Sequence, residues 1–139
     1  MEKIFVFGTL KEGFPNFKHN HGKRFRAEFV TQKAFPLYLV GERYSPWLIL
    51  TPGLGHAIKG QVFEVTDRVL QEMDALERVA QADGYHRVTT EVVCQQTGET
   101  VRVYVYGKPS LSLPVDHIKM ELKGEYSLEH AQLYRSRGE

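Results

Sequence analysis

Only one stretch of this chain, from Thr66 to Leu76, carries apolar residues at helical spacing. Val69, Leu70, Met73 and Leu76 follow a Thr66 able to cap a helix and an Asp67 suited to its first turn. The other apolar side chains come in short β-branched or aromatic runs, which read as strands. A chain with many short strands and one main helix has edges to hide. A closed or nearly closed small barrel with a flanking helix removes most of them, so the expected class is α+β of that form. An open α+β sheet is the competing architecture.

The runs can be placed individually. Ile4–Phe7, ended by Gly8, reads as a buried strand leading into a turn. Ala27–Thr31 and Phe35–Val40 look like strands, and Trp47–Leu50 is an apolar run bracketed by Pro46 and Pro52. Ala57–Val65 fits a strand interrupted at Gly60, a bulge or a close approach. His86–Gln95 and Thr100–Gly107 are strand-like and joined by a plausible hairpin turn at Thr97-Gly98-Glu99. Lys11 to Arg26 is polar and reads as loop, with a single helical turn after Pro15-Asn16. From Lys108 onward the pattern is poor and the structure is left open. At 139 residues, without repeats, low-complexity tracts or linkers, one domain over 1–139 is expected.

Several function classes fall away. Eighteen Lys/Arg against 17 Asp/Glu give no broad field for nucleic acid or an anionic membrane. Seven Lys/Arg against three Glu in the first forty residues come without a nucleic-acid motif and read as solvated surface. No apolar run approaches the roughly 20 residues of a membrane span. The lone Cys94 excludes an internal disulfide and, beside Val92 and Val93, reads as packing. The N-terminus turns polar too early for a secretory signal, so a cytoplasmic protein is expected. His19 and His21 have no third ligand at metal spacing, Gly53-Leu54-Gly55 precedes a strand rather than a helix, and no phosphate-binding or nucleophile-elbow motif occurs. Neither a metal nor a cofactor is expected.

Two places can carry chemistry. Glu77 lies seven residues after Leu70 and four after Met73, on the apolar face of the helical stretch. A carboxylate buried there without a partner would cost several kcal/mol (order of magnitude), and burial would raise its pKa toward that of a usable base. Spacing alone favours a plainer arrangement, in which Glu77 turns to solvent or pairs with Arg78 or Arg87. Phe7-Gly8-Thr9-Leu10 is the second place, a strand exit whose successive N–H groups can cradle a carboxylate and whose glycine permits close approach. On local signals alone it is equally an ordinary turn.

Taken together, these residues resemble a known family. Phe7-Gly8-Thr9-Leu10-Lys11-Glu12-Gly13-Phe14-Pro15-Asn16 is similar to the opening Tyr-Gly-Thr-Leu-Lys-x-Gly-x-Pro-Asn of the γ-glutamylaminecyclotransferases, within the γ-glutamylcyclotransferase, or AIG2-like, superfamily. Pro46-Trp47-Leu48, Pro52-Gly53-Leu54-Gly55 and Gly60-Gln61-Val62-Phe63-Glu64-Val65 follow in order. Then come Met73-Asp74-Ala75-Leu76-Glu77, Gly84-Tyr85-His86-Arg87 and Val105-Tyr106, so the resemblance runs from about Ile4 to Gly107. Phe7 stands where the family usually carries Tyr, which removes one hydroxyl, and the tail after Gly107 matches weakly.

The resemblance implies a mixed β-barrel and an enzyme that cyclises a γ-glutamyl group to 5-oxoproline with release of an amine. It makes Glu77 the acid–base residue and the backbone of Phe7, Gly8, Thr9 and Leu10 the seat of the substrate's α-carboxylate and α-amine. Trp47, Tyr85 and Tyr106 become pocket walls by the same likeness. The implied partner is a small γ-glutamyl substrate, with ε-(γ-L-glutamyl)-L-lysine favoured. A γ-glutamyl dipeptide, a γ-glutamyl-protected natural-product amine, or a non-catalytic binding module of the same fold are the alternatives. Oligomeric state is left open.

Overall fold

The structure is a computed structural model and describes residues 1–135. In chain order the strands are β1 (Glu2–Val6), β2 (Lys23–Phe35), β3 (Leu37–Val40), β4 (Ser45–Leu48), β5 (His56–Val65), β6 (His86–Cys94), β7 (Thr100–Gly107) and β8 (Ile118–Leu122). Helix α1 (Asp67–Leu76) joins β5 to β6, and a short α2 (Leu128–Ala131) follows β8. Strands β1-β5-β2-β6-β7 close a barrel, and β4-β3-β8 form a separate three-stranded sheet. The barrel pairings are antiparallel except for a parallel contact of β1 with β7 at Ile4 and Tyr104. The barrel is therefore mixed and closed, as expected.

Alternation along β1 explains how two cores coexist. Phe5 belongs to a cluster with Phe29, Val62 and Val105 that continues to Leu37 and Leu48 of the small sheet. Its neighbours Ile4 and Val6 face the other way and pack with Phe63, Leu70 and Met73, seating α1 against the barrel. The Thr66 side chain caps α1 by accepting from the Val69 N–H at 3.2 Å, a bond of a kind that stabilises a helix by about 1 kcal/mol. Leu76 departs from the expected stripe, being 38% exposed where the helix ends.

Other boundaries moved for identifiable reasons. β2 begins at Lys23, inside the segment read as loop, because no side chain from Lys23 to Glu28 is buried and the alternation is faint there. It runs through Phe35 and stops before Pro36, which lacks a donor, so the Phe35–Val40 run is split between two sheets. Pro46 lies within β4, at the edge of the small sheet where a proline is tolerated. Gly60 marks a close approach, since a Cβ there would lie 2.4 Å from the Val6 carbonyl oxygen. The register shifts of the β2–β5 pairing instead fall in β2, one of them spanning Arg26 at φ 58°. The helical turn after Pro15-Asn16 is present at Phe17–His19. Among the described residues no helix is long and apolar enough to cross a membrane.

Candidate functional site

Where β1 leaves the barrel, the chain turns through Gly8–Lys11, closed by the Lys11 N–H donating to the Gly8 carbonyl at 3.1 Å. Gly8 is required by a neighbour, because a Cβ there would come within 2.8 Å of the Pro46 ring. The next carbonyls are also engaged: Thr9 O accepts from the Asn16 N–H at 2.8 Å and Leu10 O from the Asn20 side chain at 3.0 Å. Among the described residues no backbone carbonyl accepts from the N–H groups of Gly8, Thr9 or Leu10. The turn thus has its oxygens occupied and its donors available, the polarity that suits an anion.

Two ties connect this turn to the C-terminal segment. The Asn16 side-chain amide donates to Thr9 Oγ1 at 2.9 Å and to the Tyr134 hydroxyl at 3.1 Å. Lys11, buried, donates to the Tyr126 carbonyl at 2.5 Å and lies 4.2 Å from the Phe14 ring centroid.

Glu77 arrives from the end of α1. The Arg78 N–H donates to the Ala75 carbonyl at 3.1 Å and the Val79 N–H to the Asp74 carbonyl at 3.0 Å, the paired bonds of a Schellman cap with Glu77 at the cap position. Arg78, at φ 57°, takes the left-handed place usually given to glycine, a conformation that costs on the order of 1 kcal/mol. The following loop holds it there. Arg78 binds Asp83 at 2.9 Å, and the Tyr85 N–H returns to the Glu77 carbonyl at 3.0 Å. Gly84 sits so close that a Cβ would lie 1.7 Å from the Arg78 carbonyl oxygen. The Arg78 hydrogen bond holds the Asp83 carboxyl below its ordinary range, so Asp83 is charged and paired with Arg78 at neutral pH.

Glu77, half-buried, meets the Gly8–Lys11 turn across a small hollow of about 40 Å³. Its walls include Phe7, Gly8, Thr9, Leu10, Glu77, Tyr85 and Tyr106, seven of the eight site residues expected from sequence. Trp47, the eighth, lines an adjoining cleft of about 950 Å³ that shares Thr9, Pro46, Glu77 and Tyr85 with the hollow. The two arginines considered as partners for Glu77 have other engagements, Arg87 with Asp74 at 2.7 Å and Arg78 with Asp83.

Four residues of the site's framework were not singled out from sequence. Asp74 accepts from the Tyr106 hydroxyl at 2.7 Å while binding Arg87. Burial, reinforced by Asp74, pushes the Tyr106 hydroxyl well above the ordinary tyrosine range, so it stays protonated and donating. Pro46 packs on Gly8 and accepts from the Tyr85 hydroxyl at 3.2 Å. Asn16 ties Thr9 as described. Lys108, 4% exposed, donates to the Asp83 carbonyl at 2.5 Å and lies 4.4 Å from the Trp47 ring and 4.6 Å from the Tyr85 ring. Asn16 and Asp74 stood inside motifs already noticed, so a closer reading of those motifs could have raised them. Among the described residues no group of three or more His, Cys, Asp or Glu is placed to hold a metal ion.

Known proteins resemble this chain over most of its length. The family model described as "Gamma-glutamyl cyclotransferase, AIG2-like" matches residues 4–128. A γ-glutamylaminecyclotransferase from Mus musculus is 37% identical over 117 residues, spanning 76% of this chain and 77% of the relative. Its counterpart from Rattus norvegicus is 33% identical, spanning 94% of this chain and 96% of the relative. The crystal structure of an AIG2-like protein from Mus musculus superposes with a TM-score of 0.84 at 32% identity, covering 100% of this chain and 98% of that one. The chain belongs to the γ-glutamyl cyclotransferase, AIG2-like family.

Proposed function

We propose that this chain is a γ-glutamylamine cyclotransferase, a cytoplasmic enzyme converting the γ-glutamyl group of ε-(γ-L-glutamyl)-L-lysine or a similar amide to 5-oxoproline and the free amine. The observation that carries the reading is the facing of one carboxylate, Glu77, and one donor-rich turn, Phe7–Leu10, across a single hollow in a member of this family.

The chemistry needs little more. The substrate's α-amine attacks its own γ-carbonyl carbon, forming the lactam C–N bond, and the bond to the departing nitrogen breaks. Both nucleophile and electrophile belong to one molecule, so no enzyme nucleophile is required. The Gly8, Thr9 and Leu10 N–H groups hold the α-carboxylate and keep the chain folded back. Orientation of this kind supplies up to about 7–11 kcal/mol in the best intramolecular cases. Glu77 takes two protons in turn from the attacking nitrogen, one from the α-ammonium before attack and one from the tetrahedral intermediate. It passes both to the leaving nitrogen, which departs as the ammonium, so no net proton is gained or lost. Such a role contributes about a hundred- to ten-thousand-fold.

The test is Glu77→Gln, with mass detection of 5-oxoproline from γ-glutamyl-ε-lysine, γ-glutamylalanine and glutathione. The variant should keep its circular dichroism and melting temperature and lose at least about a hundredfold in kcat. Near-normal turnover would reject the assignment, and the ranking of the three substrates identifies the departing amine.

A further inference from the structure

The two compartments meeting at Glu77 differ in charge. Among the described residues no lysine, arginine or histidine is a wall of the hollow. Among the same described residues the adjoining cleft is lined by Lys18, His19, Arg43, Arg78 and Lys108, against only Glu77 and Asp83 as acids. Arg78 is bound to Asp83 at 2.9 Å, whereas among the described residues neither Lys18 nor Arg43 enters an ion pair. If the γ-glutamyl head occupies the hollow, the departing amine projects into this cleft, because Glu77 and Tyr85 are walls of both.

We propose that the outer cleft is a leaving-group subsite selecting amines that carry a carboxylate, with Lys18 and Arg43 as the specificity-determining residues. This rests on the cyclotransferase reading. A carboxylate at the far end of the departing chain finds Lys18 and Arg43 there, with Glu77 and Asp83 the competing acids among the described residues. A second ammonium meets the opposite. Trp47 and Tyr85 would otherwise attract a cation to their faces, but Lys108 already sits over both rings, 4.4 and 4.6 Å from the centroids. Diamines are therefore disfavoured by the aromatic pair that would ordinarily welcome them.

A matched series tests this: γ-glutamyl amides of 6-aminohexanoate, n-hexylamine and 1,6-diaminohexane, alike in reach and different in terminal charge. Wild type should follow the order acid, neutral, diamine in kcat/KM, with roughly tenfold between the extremes, the scale of two exposed charge contacts. The Lys18→Gln/Arg43→Gln double variant should bring the three to within about twofold of one another, and added salt should compress the wild-type range in the same direction. Equal use of the three by wild type, a preference for the diamine, or an unchanged order in the double variant would overturn the inference. Should wild type cyclise none of them, 5-oxoproline release from γ-glutamyl-ε-lysine decides the cyclotransferase reading, and calorimetric binding of the same three compounds decides the subsite separately. Preference for the acid that the double variant loses upholds it; equal or undetectable binding overturns it.

Discussion

The inner hollow and the outer cleft share four wall residues, yet they are built by different means. The hollow is backbone held by backbone: a strand exit with occupied carbonyls, a capped helix end, and glycines where neighbouring atoms leave no room for a Cβ. The cleft is side chains carrying charge, with Lys18, His19 and Asp83 exposed. Geometry that depends on backbone packing changes in steps when disturbed, whereas a charged wall changes gradually. A reaction needing one bent conformer suits the first, and tolerance among leaving amines suits the second. Inner substitutions should therefore strike kcat and stability together, and outer ones should alter preference.

Gly84→Ala is expected to have the largest effect. Its methyl would overlap the Arg78 carbonyl oxygen, so the 78–84 loop must move, releasing the clamp that fixes Glu77 and Tyr85. We expect a loss of about 3 kcal/mol in stability and a kcat lower by about a hundredfold. Denaturant melts and single-substrate kinetics measure both, and a variant with wild-type values would show that the clamp does not position the carboxylate. Gly8→Ala comes next. Its Cβ would meet the Pro46 ring at 2.8 Å, a side-chain contact that can yield partly, so about 1–2 kcal/mol is expected. Its effect on kcat should exceed its effect on stability, because the turn shifts against Glu77. A Gly8→Ala variant that altered leaving-amine preference while leaving kcat and stability unchanged would erase the distinction between the two regions.

How much of this could be read from residues alone depended on whether burial leaves a pattern. Helix α1 and strands β5 to β7 were visible because their apolar residues recur at a period of 3.6 or 2. The first half of β2 and nearly all of β8 were not. In β8 only Leu122 is buried, and a strand with one buried side chain has no alternation to detect. The site divides the same way. Glu77 was noticeable because a carboxylate interrupts an apolar stripe, and the turn because its glycine ends a strand. Local signals favoured plainer readings of both, and only the family resemblance gave them roles. Lys108 was invisible: a lysine after a strand reads as solvated, and its burial arises only when Trp47 and Tyr85 converge on it. Asn16 stood inside a noticed motif, but its tie to Tyr134, 118 residues away, leaves no local trace.

Tyr106 offers the finest test, because it separates the shape of the inner wall from its chemistry. Its ring lines the hollow, but its hydroxyl donates to Asp74, which also holds Arg87. Tyr106→Phe keeps the ring and deletes only that bond. Asp74 retains Arg87 as a partner, so the expected stability loss is about 1 kcal/mol, within the range for a hydrogen bond to a charged group that stays partly satisfied. If the inner wall acts by shape, kcat should stay within about threefold of wild type, and the pH dependence of the rate should be unchanged, since this hydroxyl is protonated throughout. A hundredfold fall in kcat at that small stability cost would instead give the hydroxyl a part in the proton transfers. The hollow would then contain two participating groups, Glu77 and Tyr106, and its difference from the cleft would be chemical as well as structural.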